Sequence, residues 1–396
     1  MSTFSKLIGM NGKRAGNDKF RSEYPNPSYG HIVEGLALVN GDRSPKKNLF
    51  QLIEEGSALC DDAAGKRFFT FEKFHVLGHC TIVSHEDSWK TENGRLELVD
   101  AINAYEVEVD GERYRKLGGK QNWLQSGMFL YMLTLHYGEV EATKVWKEKA
   151  VAGWSLTGVA DSRRYNKEDT IMAEVGDLTI TALPVLILIG KESWAAELLK
   201  SIGFSWDDVG FDAWFPLVER HTESLGTFPK DTWYTLYKLI LILSFPDGSI
   251  SIEDIKNWLP TPSELGNLNK AWLTCTLGMC SLLNLGARVY EKIGDDDNAV
   301  ATANLGVSEQ KKKAVSSDCR CLLGRVTARK GDSAEAANQF RMACDEAHKG
   351  RVYLIEILAA REWKKLFPDN PDSDALIERA CLAIEKPEEQ INELLY

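Results

Sequence analysis

The amino-acid sequence predicts an all-α fold in which antiparallel helical hairpins stack side by side, and three observations carry that expectation. Apolar residues recur at helical spacing: Leu322, Leu323 and Val326 form one stripe, and Ala336, Phe340, Ala343 and Ala347 form the next. Between them Gly331-Asp332 breaks the pattern, and glycines at 138, 190 and 294 interrupt three further patterns in the same way. Small residues recur where paired helices have to touch, as Ala299 and Ala303 do after Gly294. The rival arrangement is an ordinary helical bundle whose hairpins only look repetitive.

The elements follow in chain order. Residues 1–27 are polar and end in Tyr24-Pro25-Asn26-Pro27, which resists helix and marks a flexible tail. Lys6, Lys13, Arg14, Lys19 and Arg21 make this beginning basic, but it has no apolar run long enough for the core of a secretion signal. Residues 28–120 form an N-terminal helical region, with helices expected over HIVEGLALV, KKNLFQLIEEGSALC, TFEKFHVLGHCTIV and GRLELVDAINAYEVEV. Residues 121–262 hold central hairpins, beginning with LYMLTLHYGEVEATKVWKEKA, in which Tyr131, Gly138, Ala142, Trp146 and Ala150 take the repeated positions. A further hairpin uses Gly190, Ala195, Leu199 and Ile202.

Two apolar runs in this part fall well short of the ~20 residues that span a bilayer. Leu236 to Leu243 reads as a buried helix; Leu178 to Ile189 contains Pro184 and β-branched residues, so a strand competes with helix there. Phe245-Pro246-Asp247-Gly248 and Leu259-Pro260-Thr261-Pro262 are breakers, the second placed to divide two sub-bundles. Residues 263–396 carry the best-formed hairpins. They finish in a helix from Ser373 to Glu385 and an acidic end, Pro387 to Tyr396, that reads as a polar cap.

The unit from Asp318 to Ala347 resembles a tetratricopeptide repeat (TPR). Leu323-Gly324 match the apolar-small pair of its first helix, Gly331 the turn, Ala336 the small contact residue, and Phe340 and Ala343 the large-small pair of the second. Arg320 and His348 depart from the pattern, standing where an aromatic and a proline are usual. Tyr290, Gly294, Ala299 and Ala303 repeat the frame upstream. The resemblance implies a degenerate TPR-like α-solenoid, an array whose irregular period reflects insertions between units, and a concave face that holds a segment of another protein.

Composition narrows the function. A chain of 396 residues with 44% hydrophobic content buries a sizeable core, and its net charge of -11 argues against a nucleic-acid partner, which calls for concentrated lysine and arginine. The 8 cysteines sit mostly inside apolar helical patterns, as expected of reduced thiols in a cytoplasmic protein. No GxGxxG, GxxxxGK[ST] or GxSxG motif occurs, so no nucleotide cofactor is expected.

Candidate sites are few. His75 and His79, four apart on a predicted helix, share one face in the manner of zinc ligands, although the general-base glutamate of a metalloprotease helix is replaced by Val76. Paired Arg163 and Arg164 form a fork for a carboxylate or phosphate. Lys311 to Lys313 with Arg320, Arg325, Arg329 and Lys330 make a second basic zone that suits an acidic peptide. Of the 11 tryptophans, Trp194, Trp206, Trp214, Trp233, Trp258 and Trp272 crowd the central third. They fill gaps between helices or line a pocket whose polar anchors are Glu174, Asp177, Arg220 and His221.

The favoured expectation is a non-catalytic cytoplasmic adaptor or scaffold that binds a peptide or helix of another protein in a solenoid groove, with no cofactor, no nucleic acid and no membrane span. The binding residues expected are Arg163, Arg164, Glu174, Asp177, Trp214, Arg220, His221 and Trp233. The alternative is an enzyme or small-molecule binder that uses the tryptophan-rich centre, with a metal at His75 and His79.

Overall fold

The computed structural model describes residues 95–96, 134–157, 178–179, 182–201, 230–245, 250–272, 280–308 and 313–395. Every element among them is helical, and none is a strand. The chain divides into two compact units, Met1–Leu130 and Tyr131–Tyr396. Of the first unit only Arg95 and Leu96 are described, so the expected helices of residues 28–94 and the His75 and His79 pair lie outside the described residues.

In the second unit the helices are α1 (Val140–Thr157), α2 (Ala182–Leu188), α3 (Glu192–Ser201), α4 (Lys230–Ser244), α5 (Ile252–Trp258), α6 (Pro262–Trp272) and α7 (Leu282–Lys292). There follow α8 (Asp296–Ser308), α9 (Lys313–Arg329), α10 (Ser333–Lys349), α11 (Tyr353–Leu366), α12 (Pro371–Ile384) and α13 (Glu388–Leu395).

The four glycines expected to turn the chain all do so. Gly138, Gly190, Gly294 and Gly331 have φ of 68°, 73°, 76° and 88°, a region closed to most residues because Cβ meets the following carbonyl. At Gly331 the turn is locked by two backbone hydrogen bonds, from Gly331 N to Ala328 O (3.0 Å) and from Asp332 N to Thr327 O (3.2 Å), which satisfy carbonyls left open at the end of α9. Gly190-Lys191 and Gly294-Asp295 repeat the device after α2 and α7. So do Arg351-Val352 and Glu385-Lys386, with non-glycine residues at φ 56° and 59°. Asp332 then caps α10 by accepting from Glu335 N at 3.0 Å.

The strand that competed over Leu178 to Ile189 does not form. All seven residues of α2 are buried helix, and Pro184 is its third residue, where the N–H it lacks would have no intrahelical partner. The central α4 is buried almost all round, with Leu236, Leu239, Ile240 and Leu241 fully enclosed. That is the pattern of a helix packed on several sides, here by α2, α3, α6 and α7. Helices on either side of the Leu259 to Pro262 break therefore pack together. The break itself is a capped start: Thr261 N donates to Glu264 Oε2 at 2.8 Å, and Pro262 opens α6.

From α7 onward the hairpins α7/α8, α9/α10 and α11/α12 are consecutive, and α9 also lies against both α7 and α11. Glycine permits the closest approach. A Cβ on Gly324 would stand 2.8–2.9 Å from three ring atoms of Phe340, so the fully buried ring lies flat against the α9 backbone. Ala336, Ala343 and Ala347 are likewise fully enclosed. In the hairpin before it, Tyr290, Ala299 and Ala303 are buried as expected, and Tyr290 Oη donates to Pro260 O at 2.7 Å. Gly190 is followed by fully buried Ala195 and Leu199, while Ala142 is only half-buried beside the enclosed Thr143 and Trp146. Tyr131, Ile202 and the side chain of Ala150 lie outside the described residues.

The acidic end is more than a polar cap. Ile384 and Ile391 are fully buried and pack on Gly138. Lys386 Nζ pairs with Glu139 at 2.9 Å, both side chains nearly enclosed, and His136 Nδ1 donates to Arg351 O at 2.6 Å. Helix α13 thus lies against α1.

Candidate functional site

Of the expected binding residues only Trp233 is described. It belongs to α4, is 5% exposed, and sets its ring 5.8 Å from that of Tyr237. Its indole is core packing. Arg163, Arg164, Glu174, Asp177, Trp214, Arg220 and His221 lie outside the described residues. Other central tryptophans are covered by lysine: Lys147 and Lys191 sit 5.2 Å and 5.1 Å from the Trp194 ring, and Lys238 sits 4.5 Å from Trp258.

The second basic zone is neutralised within the fold. Arg325 forks onto Glu291 at 2.6 Å and reaches Glu362 at 2.9 Å; Arg329 bridges Glu291 and Asp296; Lys330 meets Asp297. Lys313 pairs with Glu346 at 2.7 Å, and Arg320 donates to Gln339 at 3.2 Å. Lys311 and Lys312 lie outside the described residues. The cations that read as a docking patch mostly serve to tie α7, α9, α10 and α11 together.

A buried ionic core runs through the same helices. Arg288 grips Asp318 with Nε and Nη2, its Nη1 donates to Ile187 O at 3.2 Å, and Asn284 donates to Asp318 at 3.0 Å. Burial works against the Asp318 charge, but Arg288 and Asn284 outweigh it and hold the carboxyl below its ordinary range. Glu291 behaves alike: its burial is outweighed by Arg325 and Arg329, and the carboxyl is lowered. Glu356 is the opposite case. Fully enclosed, it accepts from His348 Nδ1 (2.8 Å) and Arg379 Nε (2.7 Å), yet burial prevails and its carboxyl is raised.

The described cysteines, Cys280, Cys319, Cys321, Cys344 and Cys381, are buried and unbridged. Cys319 and Cys321 point apart, as residues two apart on a helix must; Cys319 lies against Gly306 of α8. Burial pushes the Cys321 and Cys344 thiols up, and that of Cys381 to about 11, so they stay protonated at neutral pH. Among the described residues no group of three or more His, Cys, Asp and Glu side chains converges as a metal site, and no helix is long and apolar enough to cross a membrane.

Among the described residues an open cleft of about 730 Å³ lies where α11, α12 and α13 meet. Glu378 and Leu382, one turn apart on α12, form one wall with Cys381; Glu388 and Glu389, in the first turn of α13, form the other. Leu382 is 73% exposed, the most exposed large apolar side chain among the described residues. Nothing in the sequence marked it, because Ala380-Cys381-Leu382-Ala383 reads as uninterrupted core.

No family model, curated protein or solved structure matches the chain.

Proposed function

We propose that the chain is a non-catalytic interaction scaffold, a TPR-like stack of α-hairpins that receives a peptide or helix of another protein in the cytoplasm. The observation that carries this reading is the open cleft beside α12, where a leucine stands in solvent at the edge of an otherwise well-packed array. An apolar side chain rimmed by polar ones, set in a concavity, is what a docked helix or peptide covers. The packing of α9 against both α7 and α11 supports the repeat-like part of the reading, since solenoids present such a row of helices as a continuous face. The buried cysteines without disulfides fit a reducing compartment.

A displayed library of random peptides, panned on the immobilised full chain, tests the proposal. The expected result is a set of enriched sequences that compete with one another for saturable binding. Enrichment no greater than on an unrelated helical protein would overturn it.

A further inference from the structure

Resting on the scaffold reading, we propose that the cleft between α11, α12 and α13 docks a basic amphipathic segment of a partner protein. An apolar side chain of that segment covers Leu382, and flanking lysine or arginine side chains meet Glu378, Glu388 and Glu389. The geometry begins with α12. Glu378 and Leu382 are separated by four residues and so share one face, and that face is exposed while Ile377, Ala380, Cys381 and Ile384 pack inward. Leu382 is thus surplus to the helix's own burial.

Charge then selects the occupant. The cleft is lined by Asp374, Glu378, Glu385, Glu388 and Glu389 against Lys364 and Lys386. Both lysines are engaged: Lys364 with Asp374 at 2.6 Å, and Lys386 with Glu139 at 2.9 Å behind the cleft wall. Glu378, Glu388 and Glu389 form no salt bridge among the described residues, although Lys364 also feels the charge of Glu388 from a distance. Glu388 and Glu389 also favour the start of α13 through the helix dipole, but Glu378 is mid-helix and has no such use. An excess of carboxylates over lysines around an apolar spot attracts cations and repels polyanions, which excludes nucleic acid. They exclude a two-fold contact of this cleft with its own copy as well, because that would set the same carboxylates against each other.

Fluorescence anisotropy of the full chain with two labelled synthetic helical peptides tests the assignment, one of leucine and lysine in amphipathic order, the other with glutamate for lysine. Wild type is expected to bind the lysine peptide saturably and the glutamate peptide not at all. E378K/E388K/E389K should bind about tenfold more weakly or worse, and Glu378→Lys alone, which leaves the start of α13 untouched, several-fold more weakly. Leu382→Ser should also lose roughly three- to tenfold. The control E148K/D231K/E253K carries the same net charge change at exposed sites elsewhere and should stay close to wild type.

The cleft assignment is overturned if wild type ignores the lysine peptide, if it takes the glutamate peptide equally well, or if cleft variants lose no more than the control. Panned peptides that bind wild type and the cleft variants alike would sink this assignment while leaving the scaffold reading in place.

Discussion

The contact between Phe340 and Gly324 offers a test in which the sign of an effect changes with its background. A methyl group added at Gly324 would stand 2.8–2.9 Å from the ring, far inside van der Waals contact, and a fully buried aromatic ring cannot swing aside. Overpacking of this kind costs about 1–3 kcal/mol. Replacing a mid-helix glycine by alanine returns about 1 kcal/mol of helix propensity. Gly324→Ala in the wild-type chain should therefore destabilise by roughly 0–2 kcal/mol. Phe340→Ala removes the ring and should cost about 3–5 kcal/mol through lost burial and the cavity it leaves.

In that background the added methyl meets no ring, fills part of the void and keeps its propensity gain, so Gly324→Ala should stabilise by about 1 kcal/mol. The coupling between the two sites is then about 1–3 kcal/mol. Thermal and urea unfolding followed by circular dichroism reads it, since 1 kcal/mol moves Tm by about 2–4 °C in a unit of this size. Equal effects of Gly324→Ala in both backgrounds would show that the ring does not lie on the α9 backbone.

Other perturbations probe different contacts. Arg341→Ala, which removes an exposed partner of Asp372, should shift stability by less than about 0.5 kcal/mol in the same melts. Arg351→Gly and Glu385→Gly relieve the left-handed conformation of a substituted residue and should each stabilise by up to about 1 kcal/mol, whereas Gly331→Ala should destabilise by a similar amount; thermal midpoints moving the other way would contradict the turn geometry. Asp318→Ala strands the Arg288 guanidinium in a buried site and should cost about 3–5 kcal/mol in urea titrations, more than the joint replacement R288M/D318L.

The lowered carboxyls of Asp318 and Glu291 fix a pH dependence. Their stabilising share is fully present above the ordinary values of 3.8 and 4.5 and is lost as pH falls through their depressed folded-state values. Urea midpoints measured across that acid range should fall more gently in D318N/E291Q than in wild type, and an unchanged slope would refute the assignment.

The sequence was most legible where structure is local. Gly331 and Gly294 could be placed as turns because only glycine enters positive φ without cost, and the spacing of Ala336, Phe340 and Ala343 is that of one helix face. Pro184 misled in part, since a proline within β-branched neighbours also fits a strand, and only its place in the first turn of α2 removes the objection to helix. Arg351 and Glu385 make the same kind of turn as Gly331 but carry no sequence mark, because their conformation is imposed by the packing on either side. The candidate site was barely legible. Arg325 and Arg329 read as free cations because their acids, Glu291, Asp296 and Glu362, are more than thirty residues away in sequence.

What the amino-acid sequence determined by itself is the helical class of the described residues, the positions of their turns and the inward faces of the hairpins, since these follow from backbone sterics and a 3.6-residue period. Tertiary structure alone decided which charges cancel, that α13 packs back on Gly138 and α1, and that Leu382 faces water while its neighbours Cys381 and Ile384 do not. Those outcomes depend on how helices distant in sequence cross, and no local pattern encodes the crossing.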